Sequence, residues 1–149
     1  MIETTTGEPA AADIYVIPVH ADRVIPEGIG DAPDLTALAS VLDARDFSGK
    51  QGQTLFVQTP GGPTAEVLLV GLGEEASAES LRRAAAVAVR AVKGYASVAT
   101  ALHDVGIDGA ATAVIVGTML GAYTFDEYKS DPKPSKVASF ILVGGDVTD

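Results

Sequence analysis

Strand-like and helix-like segments alternate along this chain of 149 residues, and this alternation restricts the fold more than any other feature of the sequence. Runs rich in β-branched residues predict strands at residues 13–20, 53–59, 65–72, 96–104 and 136–145. Apolar residues at three- and four-residue spacing predict helices at residues 34–47 and 78–93. Residues 109–125 are predicted as a third helix because of the length of the apolar run, although AVIV at residues 113–116 alone could form a strand. The sequence therefore predicts an α/β domain with one sheet and helices on both faces.

The second and third predicted strands are separated by Pro-Gly-Gly-Pro at residues 60–63, which is typical of a hairpin turn. A hairpin makes its two strands antiparallel, so we expect a mixed sheet. In the first strand, Pro18 lacks a backbone N–H, which predicts that the strand lies at an edge of the sheet or ends there. Residues 1–12 have no clear pattern and are predicted to form a flexible N-terminus.

Each predicted helix begins at a residue that can cap it. Asp34, Ser77 and Asp108 stand at the three N-cap positions, and Gly94 follows the second helix as a candidate C-terminal residue. The third helix differs from the others because Thr112, Thr118 and Thr124 are spread around its axis, so that it has no polar face. We expect the sheet to cover one side and another domain or subunit to cover the rest.

Composition and charge limit the partners and the covalent or metal sites that the chain can have. The formal net charge of −10 disfavours nucleic acid and anionic membranes as partners. The chain has no cysteine, so it forms neither disulfides nor thiolate metal sites, which is compatible with a cytoplasmic location. The first residues lack the pattern of a signal peptide, and the longest apolar stretch, residues 109–123, is shorter than the roughly 20 residues of a spanning helix.

One glycine motif resembles a nucleotide-binding turn. Gly71, Gly73 and Ala76 match the pattern G-x-G-x-x-A between a strand and a helix, where backbone N–H groups can bind a pyrophosphate. Glu74 and Glu75, however, lie at the positions nearest to such a phosphate, and their charge opposes binding. We therefore favour a structural role for these glycines, which let the strand turn sharply into the helix.

No residue of the sequence is assigned to catalysis, to cofactor binding or to a metal. His20 and His103 lie at predicted strand ends without the spacing of metal ligands, and we interpret them as edge or surface residues. The acid pairs at residues 74–75 and 126–127 are adjacent in sequence, which directs their carboxylates apart. We interpret both pairs as solvated.

The stretch MLGAYTFDEYKSDPKP at residues 119–134 combines acids, phenols and a lysine, as an active site does. On a helical continuation, Phe125 and Tyr128 would complete the apolar face, whereas Asp126, Glu127 and Lys129 would meet water. The positive charge of Lys129 is favourable near a helix C-terminus, and the prolines that follow cannot continue the helix. We interpret the stretch as the end of a structural element.

Three sequence segments resemble the N-terminal domain of the leucyl aminopeptidase family, also called cytosol aminopeptidases. They are DFSGKQGQTLFVQTPGG with EVLLVGLGEE, SLRRAAAVAVRAV, and GTMLGAYTFDEYKSDPK, within residues 41–145. The resemblance implies a macro-domain-like three-layer sandwich with about five or six strands, formed by residues 13–149. It also implies a cytoplasmic homo-hexameric enzyme that removes N-terminal residues with two divalent metal ions, zinc or manganese.

In that family, the metal ligands and the catalytic lysine and arginine belong to a C-terminal domain around N-T-D-A-E-G-R, and this sequence contains nothing similar. The resemblance therefore implies a non-catalytic N-terminal domain without its catalytic domain, whose partners are that domain and neighbouring subunits. Its role would be in assembly or regulation. The alternatives are a macro-like module that binds ADP-ribose or another nucleotide, and a nucleic-acid-binding domain, which the acidic balance disfavours.

Overall fold

The structure is a computed structural model that describes residues 3–6, 12–25, 38–59, 64–92, 94–103, 109–127 and 139–143. The strands are β1 (Glu3–Thr6), β2 (Ile14–His20), β3 (Thr54–Gln58), β4 (Glu66–Gly73), β5 (Ser97–Thr100) and β6 (Ser139–Leu142). The helices are α1 (Ala39–Ala44), α2 (Ala78–Ala91) and α3 (Ala110–Glu127), and a short 3-10 turn spans Ala21–Arg23.

These strands form one mixed sheet in the order β1-β6-β5-β2-β4-β3. All neighbouring pairs are parallel except β3 and β4, which are antiparallel as the hairpin signal predicts. The chain proceeds from β2 to β4 on one side and then to β5 and β6 on the other, so the direction of strand order changes at β2. Ligand crevices of open α/β sheets form at the carboxyl ends of strands at such a point.

Alternating residues of the buried strands divide the core into two layers. Ile14 and Val16 of β2 face α2 and α3, together with Leu68 of β4. Tyr15 and Ile17 face the opposite side, where Leu42 of α1 is fully buried. Helices thus cover both faces of the sheet, and the prediction of a three-layer α/β sandwich with about five or six strands is confirmed by the six-stranded sheet.

Helix α2 begins as its sequence predicts. Ser77 and Ser80 form a reciprocal cap: the Ser77 hydroxyl accepts from Ser80 N at 3.1 Å, and the Ser80 hydroxyl accepts from Ser77 N at 2.7 Å. Glu79 in the first turn pairs with both Arg82 and Arg83 on the exposed face. The opposite face is buried, with residues such as Leu81 fully enclosed.

Helix α3 packs against α2 at unusually short range because two glycines face it. A Cβ added at Gly117 would lie 2.2 Å from the carbonyl oxygen of Arg82, and one at Gly121 would lie 2.7 Å from Ala86 Cα. Small residues spaced four apart allow two helix backbones to approach closely. Gly117 and Gly121, which belong to the third segment of the family resemblance, thus form part of the contact surface of α3 with α2.

The prediction that β2 lies at an edge or ends at Pro18 is wrong, because β2 is a central strand between β4 and β5. In the parallel ladder, Val16 directs its backbone groups toward β5, where its oxygen accepts from Ala101 N at 3.0 Å. The backbone of Pro18, two residues later, is directed toward the same side of β2. The neighbouring strand β5 has already ended there, at Thr100. The missing N–H therefore removes no bond of the regular ladder, which explains why a proline is tolerated there.

Two further expectations differ from the structure. Within the predicted flexible terminus, residues Glu3–Thr6 form β1 and pair in parallel with β6, at the opposite end of the sequence. His103 is 3% exposed and lies in the core just after β5, so it is not a surface residue, whereas His20 ends β2 and is half-buried. Asp34, the turn at residues 60–63, Asp108 and Lys129 lie outside the described residues.

Candidate functional site

A crevice opens at the carboxyl ends of β2 and β4, where the strand order changes direction. Its volume is about 490 Å³, within the usual range of small-molecule sites. Three separate segments of sequence line it: Ala21 and Asp22 after β2, Ser48 with Lys50 and Gln51 before β3, and Gly73 with Glu74 at the end of β4. The topology of the sheet, and no local motif, brings these segments together.

The first wall of the crevice is the turn after β2, which has an unusual backbone. Asp22 and Arg23 both adopt a φ of 64°, a left-handed conformation that is uncommon for residues other than glycine. Arg23 is held there by its side chain, which donates to Phe47 O at 2.9 Å and to Asp43 Oδ1 at 2.6 Å. These bonds fix the turn and with it the backbone of Asp22 at the crevice.

The second wall is a loop organised by Gln53. Its side-chain oxygen accepts from Ser48 N and from Lys50 N, both at 3.0 Å, and its amide donates to Asp46 O at 2.9 Å. Gly49 packs so closely on β2 that an added Cβ would lie 2.1 Å from the oxygen of His20. One side chain and one glycine thus hold the loop against the end of the central strand.

The glycine motif predicted as a turn forms the third wall. An added Cβ at Gly71 would lie 2.0 Å from Lys50 O, and Gly73 has a φ of 81° while its N–H donates to Gly49 O at 2.9 Å. Both glycines are therefore required by close packing and backbone conformation, which supports the structural interpretation. The N-terminus of α2 behind them uses Ser77 and Ser80 for its own cap. Glu74 and Glu75 are exposed, as expected for solvated acids.

A separate polar cluster lies away from this crevice, at the other end of β4. The Tyr95 hydroxyl donates a short hydrogen bond to the Glu66 carboxylate, and the Tyr95 ring stacks on Phe56 with centroids 6.4 Å apart. The bond to Glu66, followed by burial and the charge of Glu66, raises the pKa of Tyr95 to about 12. The phenol is therefore a hydrogen-bond donor at neutral pH and links the end of α2 to the sheet.

The exposed side of α3 is a second surface of interest. Thr112, Val116, Met119 and Leu120 are exposed and follow the spacing i, i+4, i+7, i+8, which places them on one helix face. We call these four residues the α3 stripe. Three of them are apolar and 39%, 39% and 53% exposed, respectively. The side chains of residues 122–127 lie outside the described part of the chain.

The described residues do not provide a metal centre. No group of three or more His, Cys, Asp or Glu side chains in that part of the chain is arranged to hold a metal ion. The pair of divalent ions that the family resemblance implies therefore does not fit the described residues, and no chemical step of this chain is assigned to such ions. Among the described helices, none has the length and apolar character needed to cross a membrane.

Comparison with known proteins identifies the family. Residues 16–132 match the profile of the cytosol aminopeptidase family, N-terminal domain. The chain belongs to this family. A probable cytosol aminopeptidase of Roseiflexus castenholzii is 32% identical over 143 residues, which cover 89% of this chain and 28% of the relative. The chain spans between a fifth and a third of the length of such curated relatives.

Two solved structures extend the comparison. The bottromycin maturation enzyme BotP in complex with Mn is 29% identical, with a TM-score of 0.63, and the match covers 91% of this chain and 27% of BotP. The macrodomain of Mycobacterium tuberculosis DarG has a TM-score of 0.65 over 97% of this chain and 99% of that domain, at 14% identity. The latter likeness concerns the fold alone. It shows that this N-terminal domain of a cytosol aminopeptidase family member has a macro-like fold.

Proposed function

We propose that this chain is the non-catalytic N-terminal domain of a cytoplasmic, metal-dependent aminopeptidase. In this proposal, two divalent ions, zinc or manganese, are bound by a separate catalytic domain, which removes N-terminal residues such as leucine from peptides. The family membership supports the reaction, and the structure of BotP with Mn supports metal dependence. The described part of this chain has no group of three or more His, Cys, Asp or Glu side chains arranged to hold a metal ion, which supports placing the ions in the separate domain.

We further propose that the domain serves assembly by packing the α3 stripe against the catalytic domain of its own polypeptide. The exposure of Val116, Met119 and Leu120 on one helix face is the observation that carries this proposal. Water contact with a contiguous apolar surface is unfavourable, so such a surface favours a partner. Neighbouring subunits of a homo-hexamer would extend the same role.

The size of the stripe favours a covalently attached partner over a free one. Three side chains exposed by 39–53% offer on the order of 200 Å² of apolar surface, whereas a stable interface buries roughly 800 Å² per partner. The stripe alone is therefore too small to hold two separate molecules together. A tethered domain has an effective concentration in the millimolar range, at which a small contact surface is sufficient.

The test compares Leu120→Glu with Val41→Glu in the full-length polypeptide that carries this chain. Val41 is a matched control because it is also an exposed apolar helix residue, 45% exposed, but lies on α1 on the opposite face of the sheet. We expect Leu120→Glu to lower the thermal stability of the full-length enzyme and to increase proteolysis between its domains, with Val41→Glu close to wild type. In the 149-residue chain, the free energy of unfolding of both variants should lie within about 0.5 kcal/mol of the wild-type value. Equal effects of the two substitutions in the full-length polypeptide would contradict the docking proposal.

A further inference from the structure

The crevice at the ends of β2 and β4 is held in shape by contacts within the chain. Its walls are fixed before any ligand arrives: Arg23 holds one side, Gln53 holds the second, and the close contacts of Gly49 and Gly71 hold the loop against the strands. The Gln51 amide also donates to Ser80 O at 3.4 Å, which connects the loop to the first turn of α2. A site with a fixed shape loses little entropy when a small molecule binds.

The charges that line the crevice define the class of ligand. Asp22 and Glu74 supply two carboxylates from two different walls, Lys50 supplies one ammonium group, and Ser48 and Gln51 add polar groups. All three charged side chains are solvent-accessible, and none of them forms an ion pair within the described part of the chain. A ligand that carries both an ammonium and a carboxylate group would match both signs, whereas a purely anionic ligand would meet an excess of negative charge.

We propose that this crevice binds small zwitterions of the amino acid and short peptide class, with the ligand ammonium between Asp22 and Glu74 and its carboxylate at Lys50. A volume of about 490 Å³ accommodates an amino acid or a dipeptide. The choice of leucine compounds as probes rests on the proposed function, since these are substrates and products of a leucyl aminopeptidase. Binding of a product by the non-catalytic domain would let the domain sense the progress of peptide hydrolysis.

The same charges argue against a nucleotide in this crevice. A pyrophosphate would lie beside Asp22 and Glu74 with Lys50 as the one cation among the lining residues, and the whole chain carries a net charge of −10. The N–H groups at the start of α2 are partly used by the Ser77 and Ser80 side chains, and Glu79 lies in the same turn. The macro-like fold therefore supplies the crevice, while its side chains select a different ligand.

The experiment is calorimetric titration of the 149-residue chain with L-leucine, leucylglycine, N-acetylleucine and leucinamide. We expect leucine or leucylglycine to bind with a dissociation constant of millimolar or below. N-acetylleucine lacks the ammonium group and leucinamide lacks the carboxylate, so both should bind at least tenfold more weakly.

Variants locate the site. Asp22→Asn and Glu74→Gln should each weaken binding at least fivefold, whereas Glu75→Gln removes the same charge from an exposed neighbour that does not line the crevice and should have little effect. Asparagine accepts the left-handed backbone of residue 22, so the fold is retained, which circular dichroism verifies.

The proposal is overturned if the folded chain binds none of the four probes at 10 mM, or if Glu75→Gln weakens binding as much as Glu74→Gln. It is also overturned if ADP-ribose binds more tightly than leucine. None of these results depends on catalysis or on docking of α3, so failure here leaves the proposed function standing.

Discussion

Replacement of Gly117 by alanine tests how α2 and α3 are held together. The new Cβ would lie 2.2 Å from the carbonyl oxygen of Arg82 and 2.9 Å from Arg82 Cα, so both obstacles are backbone atoms that no side-chain rotation can move. Restoring an ordinary contact of about 3.4 Å requires the helices to separate by about 1 Å. Overpacking of this kind costs about 1–3 kcal/mol, and separation of the helices also loosens the core that they share.

The same substitution also has a stabilising effect, which offsets part of this cost. Alanine favours the helix interior over glycine by about 1 kcal/mol. The contact at Gly117 lies at the severe end of overpacking, so we expect a net loss of about 2 kcal/mol in the free energy of unfolding. For a domain of this size, that loss lowers Tm by roughly 4–8 °C. Urea unfolding followed by circular dichroism at 222 nm measures the change directly.

Gly94→Ala is the matched control for this substitution. Among the described residues, no heavy atom lies within 4 Å of a Cβ added at Gly94, and its φ is not left-handed, so alanine there should change stability by less than about 0.5 kcal/mol. Gly121→Ala meets Ala86 Cα at 2.7 Å and should destabilise in the same direction as Gly117→Ala. A Gly117→Ala protein that is as stable as wild type, or more stable, would refute the view that glycines set the spacing of these helices.

Two further predictions concern the cap of α2 and the Tyr95 phenol. Ser77→Ala should lower the free energy of unfolding by about 1 kcal/mol, measured with urea, because Ser80 N loses its acceptor. Ser77→Asp should retain most of the stability, since aspartate can also accept this bond. Equal stability of the two variants would contradict the role of the cap. The folded pKa of Tyr95, about 12, lies above the unfolded value of 10, so its contribution to stability is complete below pH 10 and is lost as the pH rises toward 12. Glu66→Gln should lower the pKa of Tyr95, as absorbance near 295 nm would show, and an unchanged titration of wild type and variant would exclude the bond to Glu66 as the main cause.

The sequence was sufficient to predict most of the elements because their signals are local. The hairpin of β3 and β4, the Ser77 cap and the apolar run of α3 each depend on neighbouring residues. The role of Pro18 was not predictable, because it depends on where β5 ends, and the strand β1 gains its partner from β6 at the far end of the chain. Pairing between such distant segments leaves no mark in a short window of sequence.

The candidate site was harder to predict than the fold. Its lining residues, such as Asp22, Lys50 and Glu74, come from three separate segments, and the sheet topology brings these segments together. The glycines at 71 and 73 were recognised, but the contacts that require them involve Lys50 and Gly49 some twenty residues away. The four-residue spacing of Gly117 and Gly121 is a local signal of close helix packing that is visible in the sequence.

The central proposal is that this domain is part of an aminopeptidase and does not perform its chemistry. The most direct measurement is hydrolysis of leucine p-nitroanilide by the purified 149-residue chain, in parallel with the full-length polypeptide, each with manganese or zinc added. The account predicts turnover by the full-length polypeptide and a rate equal to the protein-free blank for the 149-residue chain. Metal-dependent turnover by the 149-residue chain, abolished by a chelator, would contradict it.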